Sequence, residues 1–349
     1  MVDVNRMRRH FGRKMADVEN NRGDVSAVQA VAAEVPGWRQ DLMALTKFRL
    51  SLLVVLTSLV GYWLGPESSG QFWLGVHMLI GTCLVAFAAA IFNQLMEIDQ
   101  DARMRRTQGR PLPARRMNPA AAFALGWLIA VIGILHLAAM VRPENPQAAY
   151  LAAITLSLYV FVYTPMKRRW AANTLVGAVV GAIPPVIGWV AAGGGYDVGA
   201  AILFAVLFFW QLPHFIAINW MCREEYETAG FVMWSNGDRS GRKSAMLSFC
   251  FSLGLVATLA ATALTGLVAL WYIVLAAAAT AYLLWLALDF WRQPSIPLAR
   301  RLFFYTLLYL PVVLLPLPLA WDAEATATLQ TFNSIPFTIP HLSTTLGTF

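Results

Sequence analysis

The chain has 349 residues, 58% of them hydrophobic and only 13% charged. A soluble domain carries about a quarter charged residues, so the composition excludes an ordinary soluble protein and points to a membrane-embedded one. The net charge of +7 would suit a nucleic acid, but the cations sit at the ends of apolar runs, and no nucleic-acid partner is expected.

Residues 1–41 form a basic arm that also holds Asp3, Asp17, Glu19, Asp24, Glu34 and Asp41. A mitochondrial transit peptide is poor in acids, so the arm reads as cytoplasmic and partly disordered. Residues 25–45 are expected to give a short interfacial helix leading into the first span. Apolar runs near 20 residues predict nine spans, at 50–65, 72–93, 119–141, 147–166, 173–192, 198–220, 245–266, 268–290 and 302–321. If these alternate, 25 of the 26 Lys and Arg fall on one side and only Arg142 on the other. That bias puts the N-terminus and the loops after the even-numbered spans in the cytoplasm, or in the equivalent matrix compartment.

Lys47 and Arg49 open the first span as snorkelling anchors, and either could also reach a phosphate. The second span delivers the polar segment from Asn93 to Arg116. It holds Asn93, Glu97, Asp99 and Asp101, then Arg103, Arg105, Arg106 and Arg110, with Arg110-Pro111-Leu112 closing it. Three carboxylates within five residues repel one another unless a cation sits between them. Mg²⁺ takes one or two carboxylates and completes its shell with water and phosphate oxygens, and arginine forks match phosphate. On a continuing helix Asn93, Glu97 and Asp101 share one face. The alternative for these charges is a solvated set of topology signals.

His77 and His136 lie toward the outer side and receive no role. The fourth span ends in Tyr163-Thr164-Pro165 followed by Lys167, Arg168 and Arg169, cations on the side of the acidic segment. In the fifth span Gly177 and Gly181 invite close helix packing, and Pro184-Pro185 marks a kink beside a cavity. Gln211 and His214 are polar groups inside the sixth span, a position that defaults to function when a partner is near. Beyond it, Asn219 precedes Glu225 and Glu227 by the intervals that separate Asn93 from Asp99 and Asp101. Spans one to four and five to eight therefore read as two four-helix copies facing one cavity, whose site lies at their interface. Cys83, Cys222 and Cys250 show no metal-ligand spacing and read as free thiols. Residues 42–321 form the transmembrane domain, and 322–349 a flexible outer tail.

The segment Asn93-x3-Glu97-x-Asp99-x-Asp101-x2-Met104-x-Arg106-Thr107-x2-Arg110-Pro111-Leu112 resembles the first acidic motif of the UbiA-type intramembrane prenyltransferases, and within them the heme-farnesylating branch. Tyr163-Thr164-Pro165, the stretch from Asn173 to Trp189, and Trp210 to Phe215 onward to Gly230 agree with it. The resemblance implies an all-α membrane protein that transfers farnesyl from farnesyl diphosphate to a vinyl group of heme B, with Mg²⁺ as cofactor. Its product, heme O, would supply a heme A synthase or terminal oxidase assembly. It implies that Asn93, Glu97, Asp99 and Asp101 hold metal and diphosphate, and that Glu225 joins them from the second motif. Arg106, Arg110, Lys167 and Arg168 would grip the phosphates, and His214 would meet heme as iron ligand or propionate contact. Glu97 and Glu225 stand where Asp is commoner. The implied home is the bacterial inner membrane, ahead of the mitochondrial one. Two other readings are a prenyltransferase for a quinone ring or chlorin, and a heme carrier without chemistry.

Overall fold

The computed structural model describes residues 36–322. The expectations for the arm before residue 36 and for the tail after residue 322 lie outside the described residues. The chain divides into two units, Met1–Leu42 and Met43–Phe349. Within the described range the first contributes Pro36, Gly37 and the opening residues of α1 (Trp38–Leu45). The second holds α2 (Phe48–Leu64), α3 (Phe72–Met96), the short α4 (Ile98–Arg103), α5 (Pro119–Met140), α6 (Gln147–Met166) and α7 (Asn173–Ala191). It continues with α8 (Val198–Met221), the short α9 (Arg223–Ala229), α10 (Arg242–Thr265), α11 (Leu270–Arg292), α12 (Ile296–Leu314) and α13 (Leu317–Ala320).

Among the described residues, eight segments are long and apolar enough to cross a membrane unaided, the last being α12 with α13. The 17-residue α2 makes the ninth when taken with α1. Helices are what a bilayer demands, because only they satisfy every backbone N–H and C=O within one segment. Their outward faces are apolar: Leu128 is 59% exposed and Phe161 69%, the reverse of a soluble surface.

In each half the second helix packs along the third, α3 on α5 and α8 on α10. The halves join where their first helices, α2 and α7, lie side by side. That contact is backbone on backbone. A Cβ on Gly188 would fall 1.8 Å from the Ser58 carbonyl oxygen, and one on Gly61 would fall 1.9 Å from that of Pro185. Only glycine permits such an approach. α7 stays helical through Pro184 and Pro185, and Gln211 of α8 stitches to it, donating to the Ala178 carbonyl at 2.7 Å. α12 closes the second half against α8 and α11.

The polar groups at the helix ends away from the acidic segment are consumed by structure. His77 Nδ1 and His136 Nε2 meet at 3.2 Å between α3 and α5. Arg142 pairs with Glu67 and donates to the Ala191 carbonyl at 2.9 Å, which ties the loops on that side together.

Candidate active site

At the opposite end, α4 follows α3 and α9 follows α8, and these two short caps pack on each other. Met104 from the first loop is buried with Ala229, Phe231 and Met233 from the second. Arg106 donates to the Tyr226 hydroxyl at 3.0 Å, its guanidinium 5.5 Å from that ring centre. The two acidic loops thus form one roof. Beneath it lies a cavity of about 280 Å³.

Glu97 sits at the break between α3 and α4, where its backbone leaves helical geometry. The Asp101 N–H still bonds the Glu97 carbonyl at 2.7 Å, so the register survives. Glu97 and Asp101 both reach the cavity wall, 5% and 2% exposed. Asn93 is buried beside them. Its amide donates to Thr164 Oγ1 at 3.3 Å, and its oxygen accepts from Lys47 Nζ. Asp99, between these residues, is exposed and outside the wall, as is Arg168.

Four cations line the cavity, Lys47, Arg106, Arg110 and Lys167, against two carboxylates. Lys167 Nζ stands 2.8 Å from Glu97 Oε1, and Arg110 Nη1 stands 2.7 Å from Asp101 Oδ2. Burial works against the charge on Lys167, but Glu97, with Tyr163 and Tyr159 behind it, outweighs burial and holds its pKa well above the usual lysine value. Burial and the neighbouring Lys167 instead push Lys47 down to about 7. The surplus of positive charge makes the cavity a receptor for an anion.

Sequence reasoning gave Lys47 two readings, a snorkelling anchor or a phosphate contact. The structure turns it inward through a left-handed backbone at φ 47°, a conformation that side-chain-bearing residues rarely adopt and that tends to mark functional sites. Tyr163 was noted only as part of the Tyr163-Thr164-Pro165 motif, with no role of its own. Over Leu158–Tyr163 the sixth helix widens into a π-turn, a feature frequent at functional sites. Its last residue, Tyr163, joins the cavity wall with Lys167 Nζ 4.6 Å from its ring centre.

Glu97 and Asp101 of the first loop line the cavity, whereas Glu225 of the second does not. Among the described residues no three His, Cys, Asp or Glu group together as a self-sufficient metal site. Mg²⁺ asks for less, one or two carboxylates with phosphate oxygens and water, and Glu97 and Asp101 meet that. Glu225 Oε2 is buried with no hydrogen-bond partner, an orphan oxygen suited to a cation. Glu227 is spent on the loop, accepting from the Gly237 N–H at 2.8 Å. His214 lines the cavity as well, stacked on Trp210 and Phe303.

The model of the UbiA prenyltransferase family matches residues 54–324. A protoheme IX farnesyltransferase of Opitutus terrae is 40% identical over 278 residues, covering 78% of this chain and 92% of that protein. The mitochondrial protoheme IX farnesyltransferase of Arabidopsis thaliana is 38% identical over 300 residues, covering 83% and 67%. The human mitochondrial protein of that name is 39% identical, covering 78% and 60%. Among solved structures, a digeranylgeranylglyceryl phosphate synthase shares the fold with a TM-score of 0.68 at 14% identity, covering 80% of this chain and 97% of its own. A UbiA homologue from Archaeoglobus fulgidus bound to GPP and Mg²⁺ gives 0.57 at 13% identity, covering 78% and 99%.

Proposed function

The chain belongs to the UbiA prenyltransferase family, and we infer that it transfers farnesyl from farnesyl diphosphate to a vinyl group of heme B. In that reaction the C1–O bond of farnesyl diphosphate breaks and its electron pair leaves with diphosphate. C1 bonds to the terminal vinyl carbon, water oxygen adds to the inner one, and a proton is released, giving heme O. The observation that supports this chemistry best is the roofed cavity with four cations facing two carboxylates.

Lys167, Arg110, Arg106 and Lys47 would bind the diphosphate and take up the charge that grows on it as the bond breaks, the role of preorganised donors in a dry site. Glu97, Asp101 and Glu225 would hold Mg²⁺, with Asn93 fixing Lys47 beside them; Asp99 and Arg168 would act from the solvent side. The Mg²⁺ held by these carboxylates would supply neutralising charge for the departing diphosphate. The wall of Tyr163, Phe215 and Phe231 would keep water from the allylic carbon until the acceptor is reached. His214 is assigned to heme. We place the transferase within residues 42–321, with the arm and the cavity on the cytoplasmic side of a bacterial inner membrane. The product would pass to a heme A synthase or to terminal oxidase assembly.

The test is purified protein in nanodiscs given farnesyl diphosphate, heme B and Mg²⁺, with the pigment analysed by mass spectrometry. Heme carrying a hydroxyethylfarnesyl group is expected. Unchanged heme alongside prenylated 4-hydroxybenzoate would overturn the acceptor.

A further inference from the structure

One arginine is held in a built setting outside the cavity, on the face that α11 and α12 turn to the bilayer. The turn joining these helices lies at the cavity end of the bundle, since a Cβ on Gly241 would meet both Trp220 of α8 and Pro294 of the turn. Arg301 stands about 8 Å along α12 from its first residue, a depth from which a guanidinium reaches the headgroup layer. It is exposed with Phe304 and Leu308, which share its side of the helix at i+3 and i+7. Phe303, on the opposite side, stacks on His214, so Arg301 points away from the substrate cavity and is not part of its wall.

Its side chain is fixed by aromatic residues. Arg301 Nη2 donates to the Tyr282 hydroxyl at 3.0 Å, and its guanidinium carbon lies 5.1 Å from the Trp285 ring centre. Tyr282 and Trp285 stack on each other at 5.4 Å and 27°. Tyr305 braces Tyr282 edge-on at 4.7 Å and 80°, its own hydroxyl donating to the Ala279 carbonyl at 2.8 Å. Arg301 takes part in no ion pair with a described residue, although Asp289 shares the Tyr282–Trp285 face of α11. The Tyr282 hydroxyl accepts from Arg301, and its own hydrogen goes to no described acceptor. An exposed guanidinium at a bilayer without a carboxylate calls for an anion, and here a neutral donor stands ready beside the charged one.

We propose that Arg301, with Tyr282, binds the headgroup phosphate of an anionic phospholipid whose chains lie along the α11–α12 face. The occupant follows from position and charge. Lipid phosphates are the anions this face meets at that depth, and a guanidinium fork matches their oxygens. This end of the helix pair holds three cations, Arg292, Arg300 and Arg301, against the one acid Asp289, which favours anionic over zwitterionic lipid.

The full-length protein, delipidated in detergent, is titrated with phosphatidylglycerol and, separately, with phosphatidylcholine, and bound lipid is counted by native mass spectrometry. The native protein is expected to prefer phosphatidylglycerol. Arg301→Gln should weaken that binding about 10-fold or more, the worth of hydrogen bonds to a charged group. Arg300→Gln removes the same charge from the neighbouring exposed position and should cost no more than about 5-fold, the effect of the field alone. Tyr282→Phe keeps the ring packing and the charge and should weaken binding by a smaller factor than Arg301→Gln; it decides the question if Arg301→Gln does not fold. Farnesyl diphosphate should leave the lipid in place. Equal affinity for the two lipids, or equal losses in Arg300→Gln and Arg301→Gln, would overturn the proposal in favour of a general basic surface. Native binding by Arg301→Gln or by Tyr282→Phe would remove the site. Displacement by farnesyl diphosphate would overturn the lipid in favour of the substrate's own diphosphate.

Discussion

Lys47 shows what a single buried ammonium can report. Burial and Lys167 depress its pKa to about 7, so it is charged below that pH and neutral above it. A diphosphate favours the charged form and draws a proton onto Nζ when it binds. Affinity for farnesyl diphosphate should be full below pH 7 and decline as pH rises, measured calorimetrically from about pH 6 to about pH 9. Lys47→Arg keeps its charge throughout and should flatten that profile. At the carboxylates, Asp101→Asn leaves Arg110 without its ion-pair partner and should cost at least about 100-fold in kcat. The exposed Asp99 should tolerate Asn better, which side-by-side kinetics would check. Glu225→Gln should weaken Mn²⁺ binding, read by electron paramagnetic resonance, with little change in thermal stability. The acidic motif was legible in the sequence because three carboxylates among arginines need a cation to explain them. Lys47 was only half legible: a lysine at a span's edge reads as an anchor or as a phosphate contact, and its spacing cannot choose between them.

The helices set these side chains by breaking regularity at chosen points. The chain bends by 49° into α2 at a left-handed Lys47, α3 breaks at Glu97, and α6 widens over Leu158–Tyr163. Hydropathy is blind to all three, because an apolar run reads the same with a π-turn as without. The spans themselves were legible for the opposite reason: crossing a bilayer requires about 20 apolar residues, and the requirement leaves no disguise. The helix stays continuous through Pro184-Pro185, and the tightest contact lies at the glycines nearby. Gly188→Ala would drive a Cβ into the Ser58 carbonyl and should destabilise the protein by about 1–3 kcal/mol, the usual cost of overpacking. Gly109→Ala, where a Cβ meets nothing within 4 Å, should be near neutral in the same thermal melts.

For the whole molecule, the spacing of acids after Asn93 and Asn219 anticipated two halves, and the helix pairings repeat between them. What spacing could not convey is that α2 and α7 form the seam, since that depends on backbone approach at Gly61 and Gly188. The charge bias predicts sidedness. With the native cysteines replaced, a cysteine at Arg115 should react with an impermeant maleimide only in inside-out vesicles, and one at Glu144 only in right-side-out vesicles. The roof clasped by Arg106 with Tyr226 and by Met104 with Phe231 has a kinetic corollary. We predict that parting of the two caps to release pyrophosphate, rather than bond cleavage, paces the steady state. Rapid quenching should then reveal one fast equivalent of product followed by a slower linear phase, and loosening the clasp with Tyr226→Phe should shrink the gap between the two.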